Sequence, residues 1–240
     1  MQHTIDILLV GASGALGSRI EALALADERF DVRARIDREH PHASVREVAA
    51  QKREIVVDFS HFSAVHESVE LARMRAAPLL IGTTGLDHEH LRELQRLAAE
   101  VPVLVAPNTS VGCVVLIQMV QKIADALGEN FFPSIVEWHR SGKVDAPSGT
   151  ANALREAIEQ ATRGASNFGP KGVASVRAAG IVGEHLVRFD SLEETIEITH
   201  KAHSRDVFAR GALRAAAWLV DQKPGRYDMA NALGLAEVGL

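Results

Sequence analysis

Short apolar runs alternate with amphipathic stretches through the first half of the chain. The runs Ile5–Val10, Val32–Ile36, Glu54–Phe59, Pro78–Ile81 and Val103–Ala106 have strand character, and the spacing of apolar positions between them predicts helices over Ala15–Ala26, Ala64–Arg73 and Asp87–Ala99. Strand and helix in turn predict βαβ units, hence a doubly wound parallel sheet with helices on both faces. From about Val111 the pattern changes. A helix over Val111–Leu127 leads to a strand over Ser134–Trp138, a polar loop and a helix over Thr150–Ala161. Gly164 to Lys171 reads as a loop. Three β-like runs follow, Val173–Ala178, Glu184–Phe189 and Thr195–Thr199, and predict a mixed or antiparallel sheet. A last helix, Asp206–Val220, carries Val207, Gly211, Ala215 and Leu219 on one stripe. The expected architecture is α/β: a first domain over 1–110, completed by the tail 221–240, and a second, α+β domain over 111–220.

Composition narrows the function classes. The 240 residues suffice for a real core, and 47% hydrophobic with 24% charged residues is ordinary for a globular protein. A net charge of −5 without a long basic run argues against nucleic-acid binding, so a bound anion must be held by local cations. Cys113 is the single cysteine and lies in the apolar run Val111–Ile117, as a buried, inert thiol in a reducing compartment would. No apolar run is expected to reach the roughly 18 residues of a membrane span. The first residues lack a charged segment followed by an apolar one, so the expected location is cytoplasmic.

Gly11-Ala12-Ser13-Gly14-Ala15-Leu16-Gly17 follows a strand and opens a helix. Backbone without side chains can approach a pyrophosphate there, and a helix N-terminus points free N–H groups at it. Asp37 stands twenty residues after Gly17 and just past the second strand, where a carboxylate accepts from ribose hydroxyls. Arg38 is adjacent and suits a 2′-phosphate. These residues predict a Rossmann-like dinucleotide domain using NADH, NADPH or both. Two later loops, Gly82-Thr83-Thr84-Gly85 and Ala106-Pro107-Asn108-Thr109-Ser110, follow strand candidates and are rich in small hydrogen-bonding residues. Their shared position predicts contacts on the nicotinamide side, although each alone would pass for a helix cap or turn.

The densest chemistry lies between Glu137 and Thr150. A general acid should titrate near neutrality, and His139 is suited to that by the reference pKa of its side chain. Lys143 is a compact cation with three donors, suited to a carboxylate or a developing charge. Ser148-Gly149-Thr150 leads into a helix, so its hydroxyls and N–H groups suit a carboxylate. The bland alternative is a surface loop with an N-capping hydroxyl. No metal site is expected: His200 and His203 are paired, but no partner follows them at ligand spacing. No G-x-S-x-G elbow of a serine hydrolase occurs.

Nearly end to end, the chain resembles the 4-hydroxy-tetrahydrodipicolinate reductase (dihydrodipicolinate reductase) family of bacterial diaminopimelate and lysine synthesis. The similar segments are Gly11–Gly17, Asp58-Phe59-Ser60, Gly82–Gly85, Ala106–Gly112, Lys143–Thr150, Gly180–His185, Ile196–Ala202, Ser204-Arg205, Phe208–Leu213 and Leu233-Gly234-Leu235. Of these, Lys143–Thr150 and Gly183–Ala202 are highly specific. The resemblance implies an NAD(P)H domain, a substrate domain, a small dicarboxylate substrate, and a homotetramer built through the second domain's sheet. It also implies hydride transfer to a conjugated cyclic imine and proton addition at the neighbouring carbon. His139 matches the family's acid, Lys143 its assisting proton donor, and Gly149 and Thr150 its carboxylate binders.

Three positions depart from the family pattern. Arg140 stands where a second histidine is usual, and an arginine there can keep a carboxylate contact. Ala15 replaces a frequent arginine in the glycine turn, which leaves cofactor preference open. Thr109 replaces a commoner phenylalanine beside the expected nicotinamide site. Two other classes compete with this reading. A short-chain dehydrogenase-like enzyme would carry Tyr-x-x-x-Lys, but Tyr227 is followed four residues later by Asn231. A non-catalytic NAD(P)-binding protein would have no need of His139, Lys143 and Thr150 together.

Overall fold

The structure is a computed structural model that describes residues 4–37, 45, 53–163, 168 and 172–235. Arg38 and most of the expected loop Gly164–Lys171 lie outside the described residues. The chain divides into two compact units, Met1–Val111 with Asp206–Leu240, and Gly112–Arg205.

In the first unit, β1 (Ile5–Val10), β2 (Phe30–Ile36), β3 (Glu54–Asp58), β4 (Leu79–Ile81), β5 (Pro102–Val105) and β10 (Gly225–Tyr227) form one sheet in the order β10-β5-β4-β3-β1-β2. Every pairing is parallel. The order reverses beside β1, and in such sheets ligands bind at the carboxyl ends of the strands around that reversal. Helices α1 (Gly17–Leu25), α2 (Val65–Arg75) and α3 (His88–Leu97) are the crossovers. On one face Leu8, Val10, Val56, Leu79, Ile81 and Val103 bury against Val65, Val69 and Ala72 of α2 and Leu94 and Leu97 of α3. Each such side chain contributes about 1.5–3 kcal/mol on leaving water, which fixes the positions of the strand ends. In this unit the expected elements agree with the observed ones to within two residues. The strand β10 and the short helix α7 (Met229–Ala232) were not anticipated.

The boundary at 221 needs correction. Helix α6 (Asp206–Leu219), expected in the second domain, belongs to the first unit: it packs on α1 and against β4, β5 and α7. Arg19 of α1 grips Asp206 with two 2.7 Å hydrogen bonds. Gly211 explains the fit, because a Cβ there would meet the Thr109 carbonyl oxygen at 1.7 Å. The apolar stripe read from the sequence is real, but it does not tell which unit it packs on.

In the second unit, α4 (Val111–Leu127) and α5 (Gly149–Ala161) cover one face of a four-stranded sheet. The strands are β6 (Phe132–His139), β7 (Val173–Arg177), β8 (Gly183–Asp190) and β9 (Thr195–Ala202), in the order β7-β6-β8-β9. The three late strands are not one antiparallel set. The chain passes from β6 through α5 to β7, so β7 lies parallel to β6, and β8 and β9 pair antiparallel on the other side. The core is Leu116, Val120 and Ala124 from α4, Leu154 and Ile158 from α5, and Ile135, Val187 and Phe189 beneath them. Contrary to expectation, Val111–Asn130 is long and apolar enough to cross a membrane by length and composition. Its buried side is a core face of this unit, a common reason for such composition in a globular domain.

Candidate active site

The glycine turn sits at the carboxyl end of β1. Gly11 has φ +80°, and a Cβ on it would stand 2.5 Å from the Phe59 carbonyl oxygen. Gly17 opens α1 directly above, where a Cβ would meet the Gly11 oxygen at 2.0 Å. Gly14 donates to the Gly11 carbonyl at 2.9 Å, closing the turn, while Gly11 and Ala12 donate to Ile36 of β2. Helix α1 has no side-chain cap and no acidic residue in its first turn. Ser13, Gly14 and Ala15 are exposed, Leu16 is half-buried and Ala12 is buried. The turn thus offers an uncapped positive helix end with accessible backbone beside it, which fits a pyrophosphate. Asp37 follows Ile36 directly, so the turn's own hydrogen bonds to Ile36 keep that stretch of backbone beside it.

The two later loops meet the same edge of the sheet, but their threonines differ from expectation. Thr83 is buried, and its hydroxyl donates to Asp58 Oδ1 at 2.9 Å and accepts from the Ser60 N–H at 2.9 Å. The Ser60 hydroxyl joins the same oxygen at 2.6 Å. Thr109 is buried too, its hydroxyl donating to the Phe208 carbonyl at 2.7 Å. Both hydroxyls therefore shape the loops from within. Thr84 and Pro107 are exposed, Asn108 is half-buried, and Gly82 and Ala106 are buried at the strand ends. A Cβ on Gly82 would enter the Phe59 ring. Sequence reasoning passed over Asp58 as a site residue. An acidic residue closing the apolar run Ile55–Val57 was the signal for it.

In the second unit, the alternation of β6 puts Ile135, Glu137 and His139 on the helix-covered face. His139 ends the strand and is 8% exposed. A row runs across the sheet beside it: Ser175 of β7, Glu137 of β6, His185 of β8 and His200 of β9. Glu137 Oε1 accepts from the Ser148 N–H at 3.1 Å, the Ser175 hydroxyl at 2.7 Å and Arg177 Nη2 at 3.0 Å. Burial pushes the Glu137 carboxyl up, but these bonds outweigh it and hold it at about 2, so it is ionised. Burial, opposed by Glu137 and aided by Lys143 and Arg177, lowers His139 from its usual value. Burial and His139 push His185 down to about 4.

The polar loop turns back over this row. Lys143 donates to both oxygens of Asp145, at 2.8 and 2.7 Å. Arg140 is exposed, and its guanidinium lies over Gly142, where a Cβ would stand 2.9 Å from Nη1. Ser148 caps α5, its hydroxyl accepting from the Ala151 N–H at 3.1 Å and lying 3.3 Å from His185 Nε2. Gly149 and Thr150 begin the helix, whose first turn holds no acid, and a Cβ on Gly149 would meet nothing within 4 Å. Helix start, cations and imidazole thus converge, a set suited to an acidic ligand that needs a proton. The groups Glu137/His139/His185 and Cys113/His185/His200 each bring potential metal-ligand atoms within 4.8 Å of one another, so His200 has other neighbours than the His203 considered from sequence. Arg177 and Lys143 around Glu137 set positive charge against a cation there.

A parallel sheet with a glycine turn at its reversal and a carboxylate after its second strand defines a Rossmann-type, NAD(P)-dependent oxidoreductase. The comparisons with known proteins narrow the class. Family profiles described as dihydrodipicolinate reductase, N-terminus and C-terminus, match residues 5–109 and 112–233. A 4-hydroxy-tetrahydrodipicolinate reductase of Alkaliphilus metalliredigens is 35% identical over 96% of this chain and 100% of its own. One from Zymomonas mobilis is 36% identical over 98% of this chain and 99% of its own. Among solved structures, the dipicolinate-bound dihydrodipicolinate reductase from Paenisporosarcina sp. TG-14 shares the fold with a TM-score of 0.76 at 20% identity, covering 95% of this chain and 99% of that one. The chain belongs to the dihydrodipicolinate reductase family.

Proposed function

We propose that this chain reduces 4-hydroxy-tetrahydrodipicolinate, through the dihydrodipicolinate imine, to tetrahydrodipicolinate in diaminopimelate and lysine biosynthesis, with NADH or NADPH as reductant. The observation that carries this is His139: a nearly buried imidazole at a strand end, backed by an ionised Glu137, in the loop whose helix start is open to an anion. The first unit is the dinucleotide domain and the second the substrate and oligomerisation domain.

Gly11 to Leu16 hold the pyrophosphate, with Asp37 on a ribose and Arg38 on a 2′-phosphate where one is present. Gly82, Thr83, Thr84 and Ala106 to Thr109 form the nicotinamide side, Thr83 and Thr109 through backbone because their hydroxyls bond inward. When bound, the reduced nicotinamide supplies a hydride to the C=C–C=N system. Gly149 and Thr150 hold one substrate carboxylate by N–H and hydroxyl, and Arg140 and Lys143 meet the dicarboxylate with positive charge. His139 gives its Nε2 proton to the carbon beside the one reduced, and Lys143 assists. The free enzyme disfavours the imidazolium, and two arriving carboxylates favour it, so His139 gains its proton as substrate binds.

The oligomer fits the second sheet's open face. Val136 and Trp138 of β6, Leu186 of β8 and Val176 of β7 lie opposite the helices, flanked by the Arg188–Glu197 and Lys201–Glu184 pairs. An apolar stripe rimmed by charge is self-complementary, and we assign it to the homotetramer. The buried thiol of Cys113, the chain's single cysteine, suits the reducing cytoplasm.

The test is a coupled assay in which the preceding synthase generates the unstable substrate from pyruvate and aspartate semialdehyde, with NADH and NADPH in parallel. Synthase-dependent loss of reduced-nicotinamide absorbance, collapsing in His139→Ala, is expected. Cofactor binding without oxidation by the folded wild-type protein would overturn the proposal.

A further inference from the structure

The two oxygens of the fully buried Glu137 carboxylate have different surroundings. Oε1 accepts three hydrogen bonds, from Ser148, Ser175 and Arg177. Oε2 is buried and accepts none. It stands 3.3 Å from Nδ1 of His139 and 3.8 Å from Nε2 of His185. Nδ1 of His139 is likewise buried and without a partner. A buried acceptor and a buried ring nitrogen left unpaired at 3.3 Å are complementary, and a small ring rotation joins them. The other ring nitrogen, Nε2, lies against Gly183, where a Cβ would come within 3.1 Å. Glycine therefore keeps that side of the imidazole clear.

We propose that Glu137 is a positioning residue for the reduction: Oε2 fixes a proton on Nδ1 of His139 and supports the imidazolium, so that Nε2 is the nitrogen that delivers its proton to the substrate. This rests on the reductase activity proposed above. A tie for the fold alone would need only Oε1, which a neutral amide oxygen could equally provide. The second, bare oxygen is what requires a carboxylate. In the step, the Nε2–H bond breaks and a C–H bond forms. The imidazole is left neutral with its remaining proton on Nδ1, facing Glu137, and takes a new proton from solvent.

Other groups face His139 from each packed element: Lys143 and Asp145 from the loop, Arg177 from β7 and His185 from β8, with His200 of β9 beyond. Glu137 stands against the cations Lys143 and Arg177, so neutralising it removes the nearest support for a charged imidazole.

The test is Glu137→Gln, assayed as above across pH beside the wild type. An opposite charge at this range moves a titration by about 1–3 pH units. The alkaline limb of kcat should therefore move down by at least about 1 pH unit, with kcat reduced roughly 10-fold or more and cofactor Kd unchanged. A limb that stays in place overturns the proposal, whether kcat holds or falls, since a purely structural role lowers kcat without moving it. An inactive wild type would instead sink the reductase reading. Should the variant not fold by circular dichroism, 15N spectra of histidine-labelled wild type at alkaline pH decide, with His139 peaks assigned by their loss in His139→Gln. A neutral His139 protonated on Nδ1 supports the assignment. Protonation on Nε2 overturns it.

Discussion

His185 should make the second unit acid-labile in a defined window. It is 3% exposed, and burial beside His139 lowers it from 6.5 to about 4. The unfolded chain therefore binds a proton that the folded chain refuses. Its contribution is complete above pH 6.5 and is lost as pH falls toward 4. At about 1.4 kcal/mol per pH unit, that displacement amounts to about 3 kcal/mol. Glu137 acts lower, between 4.5 and about 2, so the two windows barely overlap. His139 and His200 are displaced in the same direction, and the wild type will lose more than His185 alone accounts for. The comparison with His185→Gln isolates the part that depends on His185, its coupling to His139 and His200 included. Urea titrations from pH 7 to 4, at fixed protein concentration, would follow Trp138 on β6 in a Trp218→Phe background. The wild type should lose about 3 kcal/mol more than the variant over that range. Parallel losses would refute the reasoning, since they would mean His185 is protonated in the fold at little cost.

Other perturbations probe the two units separately. Gly17→Ala puts a methyl 2.0 Å from the Gly11 oxygen; it should destabilise the first unit by about 3 kcal/mol and abolish cofactor binding, read by thermal melting and NADPH titration. Arg140→Ala should raise the substrate KM about 10-fold at little change in kcat, and equal losses in both would show that Arg140 acts in the chemistry instead. Leu186→Glu places charge on the open sheet face and should yield smaller assemblies by light scattering, with each subunit still folded by circular dichroism.

The fold was legible wherever local pattern and packing coincide. Parallel strands buried on both faces read as continuous apolar runs, and β1, β3 and β5 have that character. The glycine turn was equally plain, because steric demands at Gly11 and Gly17 leave few residue types possible. What escaped depends on partners far along the chain. Gly225–Tyr227 is only three residues long and pairs with β5, more than a hundred positions earlier. Thr83 and Thr109 look like ligand contacts in sequence, and only the third dimension supplies Asp58 and Phe208 to occupy their hydroxyls.

The same reasoning explains why His139 stands out in the sequence and its surroundings do not. A histidine ending an apolar strand before a cationic loop can be seen within a few residues. Glu137 two positions earlier was in view as well, but its meaning lies in the row Ser175, Glu137, His185, His200, which exists only through the registers of β7, β8 and β9. That row crosses a face otherwise filled by Ile135, Val187 and Phe189. Burying a carboxylate and two imidazoles there costs several kcal/mol that an apolar row would not. Packing alone gives no reason for such a row, whereas the proton transfer proposed for His139 needs a carboxylate beside that imidazole.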